Sequence, residues 1–263
     1  MCVLAHPDDE SLGTGGLLAK CAAEGIETYL VTATRGERGR VGDQRPGPAV
    51  AGPIREAELH AAAQVLDIRD VRLLNYEDGT LDQVDPSEAI RKIVDCLRDL
   101  EPDVVVTFGP EGAYGHPDHI AISQLATAAV VCAADPAYPR HDDSSIDATH
   151  RVSKLYYVAW SEAKWASYQR ALRTLTITVD GRERQVSPYP DWMISTVLDT
   201  SAVWPTVWRA VCQHKSQMSI YQNLVGLSDE HHNALWGSQE FYRAFSTVNG
   251  GRKRETDLFE GLR

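Results

Sequence analysis

Residues 103–119 read Asp103-Val-Val-Val-Thr-Phe-Gly-Pro-Glu-Gly-Ala-Tyr-Gly-His-Pro-Asp-His119. Asp103 to Phe108 is a short continuous apolar run without polar alternation, the pattern of a strand buried on both faces of a parallel sheet. A Gly/Pro loop follows, and Pro117 opens an apolar helix to about Ala133. The same grammar recurs upstream. Cys2 to Ala5 is a short apolar strand, His6 to Glu10 a polar turn, and Gly13 to Ala23 a small-residue helix. Glu27 to Ala33 and Val71 to Leu74 read as two further strands. Helices are expected from Pro53 to Leu66 and from Pro86 to Leu100, the latter with Ile90, Ile93, Val94 and Leu97 at helical spacing. Strand and helix alternate four times, which predicts an α/β fold with a doubly wound, mostly parallel sheet covered by helices on both faces. With strand order 3-2-1-4-5, the first and fourth strands are neighbours at the switch point.

Beyond residue 135 the alternation loosens. Residues 1–135 are expected to form the core, and residues 136–263 to complete the sheet and cap it. Lys154 to Ala159 reads as a strand. Arg173 to Val179 and Arg184 to Val186 flank Asp180-Gly181, a strong hairpin signal. Ala202 to Cys212 and Ser238 to Phe245 read as helices. No internal repeat or low-complexity tract is present.

A net charge of −11, from 37 acidic and 26 basic side chains, argues against nucleic acid as a partner. No apolar run of membrane-spanning length occurs. The N-terminus lacks a basic region and cleavage site, so no signal peptide is expected; the first strand begins almost at Met1, which leaves open a native start upstream of it. The five cysteines are odd in number and contain no C-x-x-C pair, pointing to free buried thiols in a reducing, cytoplasmic setting.

Two clusters carry the chemistry: Ala5-His-Pro-Asp-Asp-Glu10 and Tyr114-Gly-His-Pro-Asp-His119. Both follow strands at their carboxyl ends, where open α/β sheets build sites. A single His-Pro-Asp turn is usually a helix cap. Two of them, on adjacent strands, supply instead two histidines and a carboxylate, the ligand set of a catalytic zinc site with an open position. His6 and Asp9 can reach one ion and His119 can complete the set, leaving water in the fourth position. Asp8 and His116 then remain as unligated neighbours, one suited to be a base and the other an acid or oxyanion donor. Asp118 is placed to accept a hydrogen bond from His116 and keep it protonated.

These motifs resemble the LmbE-like, or PIG-L, family of N-deacetylases. Weaker likenesses run through Val31 to Gly39, Arg55-Glu56, Asn75 to Leu81 and His214-Lys-Ser-Gln217. The resemblance implies a Rossmann-like domain with zinc on His6, Asp9 and His119, and Asp8 as general base. It implies His116 as the protonated partner of the oxyanion, steadied by Asp118, with Tyr114 beside it. Arg55 and Asp78 match sugar-contacting positions. The substrate implied is a small N-acetylated amino sugar or a conjugate of one. Two rivals are an amidase of thiol-sugar conjugates and a non-catalytic sugar-binding protein; the retained Asp8 argues against the second. The ligand set also accepts iron(II), cobalt or nickel. A homo-oligomer is compatible with all of this.

Other features carry less. Gly13-Thr-Gly-Gly16 does not fit G-x-G-x-x-G, which removes the dinucleotide reading. Arg35, Arg38, Arg40 and Arg45 in the loop 34–53 would suit an anionic group on the substrate if they are not merely solvated. His214 and Gln217 are candidates to line the site, and His231-His232 reads as a surface pair. All six tryptophans lie in the C-terminal half, more in keeping with core packing than with sugar stacking.

Overall fold

The computed structural model describes residues 1–140, 149–172, 176–179, 181–185, 188–251 and 253–263. Strand β1 (Cys2–Leu4) leads through helices α1 (Asp9–Leu12) and α2 (Gly15–Ala23) to β2 (Tyr29–Thr34). Helix α3 (Pro48–Val65), β3 (Asp70–Tyr76), α4 (Pro86–Leu100) and β4 (Val104–Phe108) follow. The one-turn α5 (Gly112–Gly115) runs into α6 (Pro117–Cys132), then β5 (Lys154–Ala159) and α7 (Glu162–Leu172). A separate antiparallel pair, β6 (Thr176–Val179) and β7 (Arg182–Gln185), precedes β8 (Thr196–Asp199), α8 (Trp204–Val211), α9 (Gln222–Val225), α10 (Asp229–Trp236) and β9 (Ser238–Ser246).

The main sheet has seven strands in the order β3-β2-β1-β4-β5-β9-β8. Strands β1 to β5 are parallel, with Cys2 beside both Leu30 and Val106, so β1 and β4 are neighbours as expected. Their apolar side chains are at most 7% exposed at Cys2, Val3, Leu4, Val104, Val105, Val106 and Phe108, which is why these strands show no polar alternation. Helices α4 and α6 pack together, while α2, α3 and α8 form a second group, so both faces are covered. Among the described residues no helix is long and apolar enough to cross a membrane.

Three expectations change. Helix α3 starts at Pro48, not Pro53: Gly47 (φ 91°) precedes it and Pro48 takes the first position, where a missing N–H costs nothing. Pro53 lies inside the helix. Ser238 to Phe245 is not a helix but most of β9, antiparallel to β5 on one side and β8 on the other. Its Gln, Glu, Arg and Ala are tolerable helix formers, and two-sided strand pairing overrides that local preference. Strand β8 has no counterpart in the sequence reading. Of the expected hairpin, Thr176–Val179 and Arg182–Gln185 pair as strands, while residues 173–175, Asp180 and Val186 lie outside the described residues.

Glu255 ties the C-terminal tail to the sheet. Its carboxylate accepts from Lys154 Nζ (2.7 Å), Arg243 Nη1 (2.7 Å), Tyr156 Oη (2.8 Å), Thr196 Oγ1 (2.6 Å) and Asn249 Nδ2 (2.6 Å). Lys154 and Glu255 are almost fully buried, and such a charge is tolerated only because every lone pair is answered. The C-terminal tail is thereby fixed on strands β5, β8 and β9.

Candidate metal centre

The turn after β1 is set by Asp9. Its Oδ2 accepts the backbone N–H groups of His6 (2.8 Å) and Ala5 (3.2 Å), which folds residues 5–9 back on themselves. Asp8 sits at φ 103°, outside the ordinary regions for a residue with a Cβ, and its N–H donates to Glu10 Oε2 (2.9 Å). After β4, Gly112 has φ 64°, and a Cβ there would lie 2.8 Å from the Ile120 nitrogen, so only glycine closes that turn. Ala113 follows at φ 59°, ψ −92°. This strained loop delivers Tyr114, His116 and His119 to the end of β4.

The two loops meet. His6 Nδ1 lies 3.2 Å from His119 Nε2, His119 Nε2 lies 3.4 Å from Asp9 Oδ1, and His6 Nδ1 lies 3.7 Å from Asp9 Oδ2. A tetrahedral ion with bonds of about 2.0–2.2 Å holds its ligand atoms about 3.3–3.6 Å apart, so the three donors fit one zinc-sized cation. All three residues are at most 8% exposed. His119 stacks on Phe108 (centroids 4.0 Å apart, planes 5° apart), which fixes its ring. A second grouping, His6 with His116 and Asp118, is also close enough to consider. It is the poorer candidate, because Asp118 is already saturated: its carboxylate accepts from His6 Nε2 (3.0 Å), Gly79 N (2.7 Å) and Leu81 N (3.0 Å).

That arrangement corrects one expectation. The Asp118 carboxylate serves His6, not His116, because the loop Gly79–Leu81 draws it to the β1 side. It thereby fixes the far nitrogen of a candidate ligand, a carboxylate–histidine–metal relay. His116 Nδ1 instead accepts the Asp118 backbone N–H (3.2 Å), so a neutral His116 carries its proton on Nε2. Burial and the neighbouring His6 charge push His116 down to about 4, which favours the neutral imidazole. Asp118→Asn should weaken zinc affinity about 10–100-fold while leaving the fold intact, measured by competition with a chromophoric chelator. Unchanged affinity would remove Asp118 from the relay.

Electrostatics favour a cation. Burial opposes a charge on His6, yet the hydrogen bonds to Asp118 and Asp78 and the nearby Asp9 raise it to about 10, so these groups favour positive charge there and a bound ion would take the place of the His6 proton. Asp78 is lowered to about 2 despite burial, held down by His6 and Arg55. His119 is pushed well below its ordinary value by burial and by His6 and His116, which keeps it neutral as a ligand must be. Burial raises Asp9. Three carboxylates (Asp9, Asp78 and Asp118) thus converge on His6, with Asp8 paired to Arg55, and a divalent ion would relieve their repulsion.

The remaining expected residues fall as follows. Tyr114 packs edge-on against His119 (5.3 Å) and His116 (6.0 Å), and burial raises its phenol, so it stays a donor. Arg55 is buried, donating to Pro7 O (2.5 Å), Gly36 O (2.8 Å) and Asp8 Oδ2 (2.9 Å); it grips the Asp8 turn from behind. Gly36 has φ 62°, and a Cβ there would strike the Arg55 guanidinium, which explains the glycine of Arg35-Gly-Glu-Arg38. Asp78 Oδ1 lies 3.3 Å from His6 Nε2, and Oδ2 accepts Arg38 N (3.0 Å). Of the arginines, Arg35 pairs with Glu56 and Arg38 with Glu77, so the loop 34–53 is pinned rather than free.

The C-terminal segment contributes more than its sequence announced. Fully buried His214 donates from Nε2 to Glu10 Oε1 (2.7 Å), and Ser11 Oγ donates to the same oxygen (2.5 Å). Ser216 N and Oγ reach Glu58 (2.7 and 2.6 Å), and Gln217 Nε2 donates to Arg40 O (2.7 Å). His214 and Gln217 therefore buttress the site and its long loop rather than line it. Tyr221 Oη donates to Asp8 Oδ2 (2.8 Å), a contact with no counterpart in the sequence reading. His231 is exposed, but His232 is buried in a stack of Trp204, Trp208 and Trp236, not paired with it on the surface. Trp192, by contrast, is 81% exposed.

Residues 1–130 match the family described as PIG-L: GlcNAc-PI de-N-acetylase. The 1D-myo-inositol 2-acetamido-2-deoxy-alpha-D-glucopyranoside deacetylase of Streptomyces griseus subsp. griseus is 33% identical, over 100% of this chain and 88% of its own. Among solved structures, the conserved protein TT1542 from Thermus thermophilus is 26% identical with a TM-score of 0.66, covering 96% of this chain and 98% of its own. The 4-carboxy-2-hydroxymuconate hydratase GalB from Pseudomonas putida shares only the fold, at 18% identity and a TM-score of 0.69 over 95% of this chain and 98% of its own. A hydratase on this frame shows that the reaction has to be argued from the site and not from the fold. On the extent and identity of these matches, the chain belongs to the PIG-L family, the LmbE-like relatives of the GlcNAc-PI de-N-acetylases.

Proposed function

We propose that this protein is a zinc-dependent N-deacetylase that hydrolyses the acetamide of an N-acetylglucosaminyl conjugate, with an inositol glycoside as the leading substrate. The observation that carries the reading is the convergence of His6 Nδ1, His119 Nε2 and Asp9 within 3.2–3.7 Å, beside the Asp8 carboxylate. The name of the Streptomyces relative supports the substrate class. A bound divalent ion supplies Lewis acidity, polarising the amide carbonyl and acidifying water towards neutral pH.

The protein's own groups do the rest. Asp8, fixed through Oδ2, takes the proton of the attacking water on its other oxygen. His116 offers its Nε2–H to the oxygen on which negative charge develops, and as a neutral donor it needs no prior protonation. Tyr114 walls the same side with its phenol intact. The tetrahedral carbon collapses to acetate as the nitrogen takes the proton held by Asp8 and leaves as the free amine, which returns Asp8 to its carboxylate. Arg55 and Asp78 act in this reading on the loop architecture around the sugar.

The test is release of acetate and a primary amine from 1D-myo-inositol 2-acetamido-2-deoxy-alpha-D-glucopyranoside and from N-acetylglucosamine. Turnover that is abolished by a chelator and restored by zinc is expected. Zinc-loaded protein that cleaves neither, but does cleave a cysteinyl thiol-sugar conjugate, would move the reading to that amide.

A further inference from the structure

The Asp8 carboxylate is held by two donors from different parts of the chain, and both act on one oxygen. Arg55 Nη2, from α3, lies 2.9 Å from Oδ2, and Tyr221 Oη, from the segment between α8 and α9, lies 2.8 Å from it. Among the described residues no hydrogen bond reaches Oδ1. The turn that carries Asp8 is strained at φ 103°, so its side chain is not fixed by ordinary backbone preference.

Tyr221 is delivered with little freedom. Seven residues upstream, His214 is bonded to Glu10, the residue that accepts the Asp8 N–H. Ser216 is bonded twice to Glu58, and its carbonyl accepts from Gly42 N (2.7 Å). The Tyr221 N–H bonds to Gln217 O (3.2 Å), and its ring packs against the main core. Burial and the adjacent Asp8 raise its phenol well above the ordinary value, so it is a donor throughout the working pH range.

We propose that Tyr221 is a positioning residue for Asp8: with Arg55 it occupies Oδ2, leaving Oδ1 as the oxygen that receives the proton of the attacking water. The inference rests on the reading of Asp8 as general base. Arg55 alone restrains the carboxylate in one direction, from the α3 side; Tyr221 supplies the second anchor from the opposite end of the chain. The C-terminal cap is therefore part of the acid–base apparatus and not only a cover over it.

Tyr221→Phe keeps the ring and removes the donor. Loss of one hydrogen bond to a charged group that acts in the transition state should lower kcat about 10- to 100-fold. KM, bound metal and melting temperature should stay near wild type. In the Asp8→Asn background the same change should cost nothing further, because Tyr221 acts only through Asp8. p-Nitrophenyl acetate, an activated ester needing no sugar recognition, is assayed beside the N-acetylated sugars. Ester cleavage sensitive to Tyr221→Phe, with no sugar turnover, would keep the positioning role and dismiss the sugar assignment. A kcat within twofold of wild type, a loss matched by metal release or melting, or an additive loss in the double variant would each overturn the proposal. Wild type inactive on both substrates would remove the base itself, and Tyr221's role with it.

Discussion

Replacing Asp8 with asparagine is expected to leave the metal bound and to lower kcat by about 10²–10⁴-fold, the range for loss of a general base. Asparagine has nearly the same shape and is among the few residues that accept a positive φ, so the turn at φ 103° should survive. The donors Arg55 Nη2 and Tyr221 Oη demand an acceptor, and they will turn the amide oxygen towards themselves. That places the amide NH2 where the free carboxylate oxygen was, a donor where water must lose a proton. Steady-state kinetics with parallel metal analysis check this. A variant within about threefold of wild type would strip Asp8 of its role.

The second large effect is at His119. Removing it takes away one of three protein donors, and activity should fall to the background of free metal in solution. Alanine is a blunt probe here, because His119 is 2% exposed and stacked on Phe108, and emptying such a site costs roughly 2–4 kcal/mol through the void. His119→Gln fills more of the space and is the cleaner variant. It should fold with a melting temperature near that of the metal-free wild type, yet bind far less metal and show no chelator-sensitive turnover. Full activity in His119→Gln would exclude His119 as a ligand.

Much of this molecule was legible in its residues, for identifiable reasons. The strands β1, β2 and β4 are buried on both faces, so Val104–Phe108 and its partners stand out as apolar runs, and the alternation of strands with helices fixes the order that makes β1 and β4 adjacent. That adjacency is what brings residues 6–9 against residues 114–119. Helix α4 was legible at its start, because Asp85 caps it through the Ser87 N–H (2.8 Å) and Pro86 occupies its first position. Strands β8 and β9 were not legible, since their pairing is antiparallel, long-range and carried by residues with mixed propensity.

At the site, residue types announced the donors but not their wiring. The sequence places Asp118 two residues from His116, and only the loop at Gly79–Leu81, brought in from β3, shows that its carboxylate turns to His6 instead. Glu10 stands within the first motif, but its partner His214 is 204 residues away. Tyr221 follows His214-Lys-Ser-Gln217 by four residues, and that short polar segment was the one available signal that the cap reaches the site. His232 read as a surface residue because its neighbour His231 is one, while the burying surface of Trp204, Trp208 and Trp236 is assembled from two helices.

The claim on which the rest depends is that His6, Asp9 and His119 hold one divalent ion. Elemental analysis of the purified chain tests it most directly, before and after dialysis against a chelator and reconstitution with zinc or iron(II). About one ion per chain is expected in the reconstituted protein. No retained ion under any of these conditions would contradict it and would end the hydrolytic reading of this site.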